Sequence, residues 1–234
     1  MSAAIRPAAD TPLAPIGPRL SAGEIAFGNL RQAIVSLALP PGMTLSRAQL
    51  AAQLGVSQTP VREALTRLQD EGLVTVVPSA STHVARIDLD NARQAHFLRV
   101  ALELEVGQRL AAAPPPDLGA RLEAHLAEQA SLLGQEGFAP ADDAFHALLY
   151  EAAEIPGLWA LVRSRSGHLD RLRRLNLPSP GKMETVLAEH RRIAAAILGG
   201  DARAVEAALR QHFSATFARI PAVRAQYPDY FAPG

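Results

Sequence analysis

Residues 45–73, LSRAQLAAQLGVSQTPVREALTRLQDEGL, constrain this chain more tightly than any other stretch. Apolar residues recur there at helical spacing in two short runs, Leu50, Ala51 and Leu54, then Val61, Ala64, Leu65 and Leu68, so two helices can close on a small shared core. Gly55-Val56 marks a tight turn between them. Ser57 is a favoured N-cap residue, and Pro60 falls inside the first turn of the second helix, where a missing N–H is tolerated. The pattern predicts helices over 46–54 and from Ser57 to about residue 71, a helix-turn-helix. On the far side of the second helix lie Gln58, Thr59, Arg62 and Thr66. Free N–H groups at a helix N-terminus suit phosphate, and Gln, Thr and Arg can reach base edges in a major groove. The residues alone also fit a plain helical hairpin with a solvated face.

The rest of the chain divides around this stretch. Residues 1–20 contain Pro7, Pro12, Pro15 and Pro18 with no helical or strand period, and predict a disordered tail. A helix over 21–39 buries Ile25, Leu30, Ile34 and Leu37 and stops at Pro40-Pro41-Gly42. After the helix-turn-helix, β-branched runs at 73–77 and 82–86 flank Pro78-Ser79-Ala80-Ser81 and read as a β-hairpin. The first domain is therefore expected over 21–86, followed by a linker at 87–90 in which Asp90 can cap the next helix. From 91 to 220 the pattern is helical throughout, with helices at 91–113, 117–135, 140–154, 157–177, 182–198 and 201–220 separated by Pro and Gly breaks. The expected fold is mostly α: a helix-turn-helix with a small β-hairpin, then an antiparallel all-α bundle of about six helices. Residues 221–234 read as a loosely attached tail.

Composition narrows the function classes. The chain has 234 residues, 48% of them hydrophobic, enough for two compact cores. It has no run of about 18 apolar residues, which excludes a membrane-spanning helix. The N-terminus shows no charged and apolar leader, and cysteine is absent, so a cytoplasmic protein is expected and any metal must be held by His, Asp or Glu. Net charge is zero, but between Arg19 and Arg86 six Arg face Glu24, Glu63, Asp70 and Glu71. Such a small excess supports DNA binding best as a homodimer on a palindromic double-stranded operator.

Asp142 and His146 are four residues apart on one expected helix and share a face, while His190 and His212 sit among apolar positions on two others. Three imidazoles and a carboxylate in a bundle fit the first shell of a divalent ion. A helical domain with several His needs no metal, however, and on the residues alone a polar core is the stronger reading.

Two groups of motifs resemble known families. VSQTPVREAL, with PPGMTL before it and EGLVTVVP after, is similar to the winged-helix regulators of the GntR family from residue 25 to about 84. The resemblance implies a β-hairpin wing, base reading by Gln58, Thr59 and Arg62, and phosphate contacts from Arg47, Ser57 and Arg67. Gln58 stands where that family usually has Arg, and Ala80-Ser81 where the wing usually has Arg-Gly, so the operator sequence stays open. Further on, D-x-x-F-H (Asp142 to His146), E-H-x-x-I (Glu189 to Ile193) and a His after the G-D-x-x-x-A break resemble the FCD ligand-binding domain of the FadR branch. That resemblance implies a metal on Asp142, His146, His190 and His212, with Zn expected first and Ni or Mn as alternatives. It also implies that Arg99, in R-x-x-L-E, meets the carboxylate of a small organic acid, although Arg99 can equally pair with Glu103 one turn on. Arg163, His168 and Arg171 are further effector-binding candidates; Trp159 reads as core. The six-helix count and HLDRLRRL (residues 168–175) are similar to the VanR-type subgroup, which lacks a seventh helix. The expected function is an effector-controlled transcription regulator. The alternative is a metal-dependent hydrolase or isomerase, which lacks an evident general base, and a third reading keeps the metal as purely structural.

Overall fold

The computed structural model describes residues 20–77 and 81–233. The expected tail to residue 20 and the hairpin tip at 78–80 thus lie, but for Leu20, outside the described residues. α1 (Ala22–Val35) opens on a capping box in which the Ser21 hydroxyl accepts from the Glu24 N–H and the Glu24 carboxylate accepts from the Ser21 N–H. The helix ends four residues before the expected stop, and Leu37 lies at φ 68. α2 (Arg47–Leu54) and α3 (Gln58–Asp70) follow, joined through Gly55, whose left-handed φ of 65 turns the chain between them. Ile34, Val61, Ala64, Leu68, Leu73 and Val84 close the core of this domain. The wing is a three-stranded antiparallel sheet, not a two-stranded hairpin. β1 (Thr44–Leu45), too short to show a period in sequence, pairs with β3 (Ser81–Val84), which pairs with β2 (Val74–Val77).

Beyond the wing the described chain is helical: α4 (Leu89–Ala112), α5 (Leu118–Ser131), α6 (Phe138–Ala152), α7 (Pro156–Arg165), α8 (Gly167–Asn176), α9 (Lys182–Leu198), α10 (Ala202–Ser214) and α11 (Ile220–Gln226). Val106, Leu110, Phe145, Leu149, Ile193 and Leu209 centre its core. Gly107 lets α10 lie against α4: a Cβ there would stand 2.7 Å from Val205 and 2.9 Å from Leu209. Three expectations are corrected. The cap of α4 is Asp88, whose carboxylate accepts from the N–H groups of Asp90 and Asn91. The expected 157–177 helix is broken at Ser166, whose hydroxyl donates to Asp170 at 2.6 Å, so the bundle exceeds six helices and the VanR-type count loses its support. Finally, the end of the chain is not a loose tail: α11 and a following 3-10 turn pack Val223 and Phe231 on Leu172 and Ile87. Ile87, expected in a linker, donates its N–H to Tyr230 at 2.7 Å and accepts from Ala232 at 2.9 Å, and is fully buried.

The two cores meet along α8. His168 bridges them, with Nε2 on the Gly72 carbonyl at 3.0 Å and Nδ1 accepting the Asp88 N–H at 2.9 Å. That pattern puts the ring proton on Nε2, and burial pushes its pKa down to about 4. Arg171, fully buried, donates to the carbonyls of Ala85 (2.6 Å) and Gly167 (3.2 Å) and to His168 Nδ1 (3.0 Å). Nearby, Arg31 of α1 joins Glu71, the C-cap of α3, at 2.7 Å and donates to the Arg163 carbonyl at the end of α7.

Candidate nucleic-acid interface and metal centre

The first candidate site is the outer side of α3. Ser57 takes the N-cap position in extended backbone yet its hydroxyl makes no capping bond. The reason is local: Pro60 occupies the third helical position and has no N–H to donate. The α3 N-terminus therefore keeps the Ser57 hydroxyl and its first N–H groups for an outside partner. Gln58, Thr59, Arg62 and Thr66 are exposed along one side of α3. Between this side and the wing lies a polar hollow of about 540 Å³, bounded by Arg47, Arg62, Thr66, Gln69, Ser81 and Thr82. Arg67 lies elsewhere, its guanidinium 3.9 Å from the centre of the Phe27 ring on α1. Gln69 continues the i, i+4, i+7 line from Arg62 and Thr66; the sequence reading stopped one turn short of it.

The second site is inside the bundle. α6 brings Asp142 and His146, α9 brings His190 and α10 brings His212, all buried. The ligand atoms of the three imidazoles lie within 4.8 Å of one another, and Asp142 Oδ1 is 3.6 Å from His190 Nε2. Each imidazole is tied through Nδ1: His146 to Glu103 at 2.6 Å, His190 to Gln129 Oε1 at 2.8 Å, His212 to Glu189 at 3.0 Å. An acceptor on every Nδ1 puts the proton there and leaves the Nε2 lone pairs facing inward. Nε2 of His146, Nε2 of His190 and Oδ1 of Asp142 are buried without any hydrogen-bond partner. Buried polar atoms of this kind are costly unless something satisfies them.

Electrostatics matches the geometry. Burial, reinforced by Arg99 and neighbouring imidazoles, holds His146 well below its ordinary pKa, His190 at about 3 and His212 at about 4, so all three are neutral at pH 7. Burial opposes ionisation of Asp142, but Arg173 and then His190 and His146 outweigh it and hold its carboxyl well below the usual range. Neutral imidazoles with an ionised carboxylate are the protonation states a divalent cation needs. Arg173, on α8, donates to Asp142 and stands 3.5 Å from Asp143.

Arg99 reaches the same place from α4. Its Nε donates to Glu103 at 2.7 Å, the pairing expected from their spacing, while its Nη2 is buried and unpartnered. A narrow cavity of about 40 Å³ runs past His96, Arg99, Asp142, Arg173 and His212. Arg163 is not in it. Its guanidinium pairs with Asp143 (3.1 Å) and Asp170 (2.9 Å) on the wall of an adjoining cleft of about 360 Å³, which shares Asp142 and Arg173 with the first and where Gln32 and Val35 of α1 face Trp159. His168 and Arg171, expected at the effector, are engaged in the domain junction instead. Sequence reading missed Glu103 as a His146 partner, and Gln129, Glu189 and Arg173, because their roles depend on helices far apart in the chain.

A winged helix-turn-helix joined to a helical domain with a closed polar centre is the architecture of a DNA-binding regulator. Residues 23–84 match the bacterial regulatory proteins of the gntR family and residues 94–215 match the FCD domain, and the chain belongs to this family. It is 40% identical over 204 residues to an HTH-type transcriptional regulator in an unstable DNA locus of Streptomyces ambofaciens, covering 87% of this chain and 86% of that one. It is 29% identical over 206 residues to the HTH-type transcriptional repressor RspR of Escherichia coli K12, covering 87% and 90%. Among solved structures, E. coli McbR/YncC superposes with a TM-score of 0.73 at 22% identity, over 89% of this chain and all of that one, a likeness of fold. The family and these relatives make the chain a transcription regulator and not an enzyme, so the hydrolase or isomerase alternative is set aside. No described helix is long and apolar enough to cross a membrane.

Proposed function

We propose that this regulator binds a palindromic operator as a homodimer, and that a small carboxylic acid bound beside a divalent metal in the helical domain controls the binding. The observation that carries the reading is the inward convergence of orphaned His146 Nε2, His190 Nε2 and Asp142 Oδ1 next to the free Nη2 of Arg99. Asp142, His146, His190 and His212 would hold the metal, Zn first and Ni or Mn as alternatives, since imidazole-rich sites suit these ions. The metal would supply a Lewis-acid contact to one oxygen of the acid. Arg99 offers a fixed, always-charged donor to the other. The space beside Arg99 is only about 40 Å³, so an acid of any size would widen it or reach into the adjoining 360 Å³ cleft past Asp142 and Arg173. The acid shifts DNA binding only so far as it prefers one arrangement of the dimer over the other. Arg163, His168 and Arg171, at or beside the junction, are then proposed to pass a change in the bundle to the winged helix. Action on DNA is most simply cytoplasmic.

Metal content is the direct test. Untagged wild-type protein is expected to carry about one metal per chain and His190→Ala none, because removing one imidazole breaks the closed set. A wild-type protein that neither contains metal nor takes up Zn, Ni or Mn would reduce the four residues to polar core. For the DNA side, Arg62→Ala should weaken specific operator binding at fixed salt by at least about 1–3 kcal/mol while sparing non-specific binding. Unchanged operator affinity in that variant would remove Arg62 from the base-reading set.

A further inference from the structure

Glu103 is fully buried on α4, with both carboxylate oxygens committed. Oε2 takes the Nδ1 proton of His146 at 2.6 Å, and Oε1 takes the Nε proton of Arg99 at 2.7 Å. These two partners belong to different halves of the proposed site, the cation end and the anion end. We propose that Glu103 is the positioning residue that couples them: one carboxylate aims the His146 lone pair at the metal and sets the charge felt by Arg99, so the two ligands bind with linked affinities. The inference rests on the metal reading above and assigns a role to a residue that contacts neither ligand.

The three Nδ1 partners differ in a way that singles Glu103 out. Gln129 is neutral and Glu189 holds His212 alone, whereas Glu103 is shared between an imidazole and a guanidinium. A carboxylate on Nδ1 raises the basicity of Nε2 toward a cation. Arg99 draws on the same carboxylate and also places a buried positive charge near the imidazoles, so it weakens cation binding until an anion neutralises it. An acid bound at Nη2 of Arg99 therefore strengthens metal binding, and by reciprocity the metal strengthens binding of the acid.

The test is Zn affinity of the full-length protein, measured by competition with a chromophoric chelator, with the visible absorption of the Co-substituted protein as a second readout of ligand geometry. Glu103→Gln is expected to weaken Zn binding about 10–100-fold with the cooperative unfolding of the chain retained. Arg99→Gln is expected to do the opposite and tighten it several-fold. Opposite signs are the discriminating result, because loosening of the cavity would weaken binding in both variants. Wild-type Zn affinity in Glu103→Gln, or equal losses in the two, would overturn the coupling while leaving the metal site standing. A wild type that binds no Zn would overturn the metal reading and this inference with it. Should Glu103→Gln fail to fold, Arg99→Gln decides alone: tightening supports the proposal and weakening overturns it.

Discussion

Chelator-treated protein is expected to unfold when the pH is lowered from 7 to about 4.5, and the cause is four histidines buried in their neutral form. His168 at the junction and His212 in the bundle titrate at about 4, His190 at about 3, and His146 well below its ordinary value, chiefly because burial disfavours their charged form. The unfolded chain takes up these protons near pH 6.5, while the folded chain refuses them until the pH is far lower. Between pH 6.5 and 4 the unfolded state therefore binds more protons, so stability falls as the pH falls. By pH 4.5 each of His168, His190 and His212 contributes a loss of about 2–3 kcal/mol. Two such losses rival the ~5–15 kcal/mol that hold a typical domain together. Asp142 does not soften the effect, since a carboxyl held well below its usual range loses its contribution only at still lower pH. Urea unfolding midpoints across this range read the result directly, and equal midpoints at pH 7 and 4.5 would show that these imidazoles are not held neutral. His168→Gln, which removes one titrating group while keeping a donor and an acceptor, should flatten part of the dependence.

What could be read ahead of the structure followed the range of the interactions. α2 and α3 were legible because caps, Gly55 and apolar spacing act within a few residues, and so were the four positions that meet inside the bundle, Asp142, His146 and His190 from compact motifs and His212 from its place after the G-D-x-x-x-A break. The break at Ser166 escaped notice because residues 157–177 contain no Pro, and a Ser with an Asp four residues on is also compatible with an unbroken helix. Residues 221–234 read as a tail, yet Pro221 and Pro228 open short helical turns that pack beneath Ile87. Within HLDRLRRL, His168 and Arg171 were expected at the effector. In the folded chain the residues of this stretch split between three surroundings: His168 and Arg171 against the winged helix, Arg173 toward Asp142, and Leu172 against Ile87 and Phe231.

That division makes α8 the shared element of the molecule, and Arg171→Ala the substitution with the largest expected effect on how its halves fit together. The Arg171 guanidinium is fully buried and satisfies the Ala85 carbonyl at the base of the wing, which has no other described donor. Truncation leaves that carbonyl unpaired, removes a donor from His168 and opens a void between the cores. Losing one partner from a buried charged network costs about 3–5 kcal/mol. Arg171→Met keeps most of the stem and should lose only the hydrogen-bonding part, about 1–3 kcal/mol. Because the damage is confined to the junction, Arg171→Ala should unfold in two urea transitions, the winged helix separating from a bundle that still holds Asp142 through Arg173. Far-UV circular dichroism follows both cores and Trp159 fluorescence follows the bundle, so the two signals should part company in the variant and coincide in the wild type. A single coincident transition within about 0.5 kcal/mol of wild type would mean that the junction is held by Leu73, packed on Gly167, and by the bond from Arg31 to the Arg163 carbonyl instead.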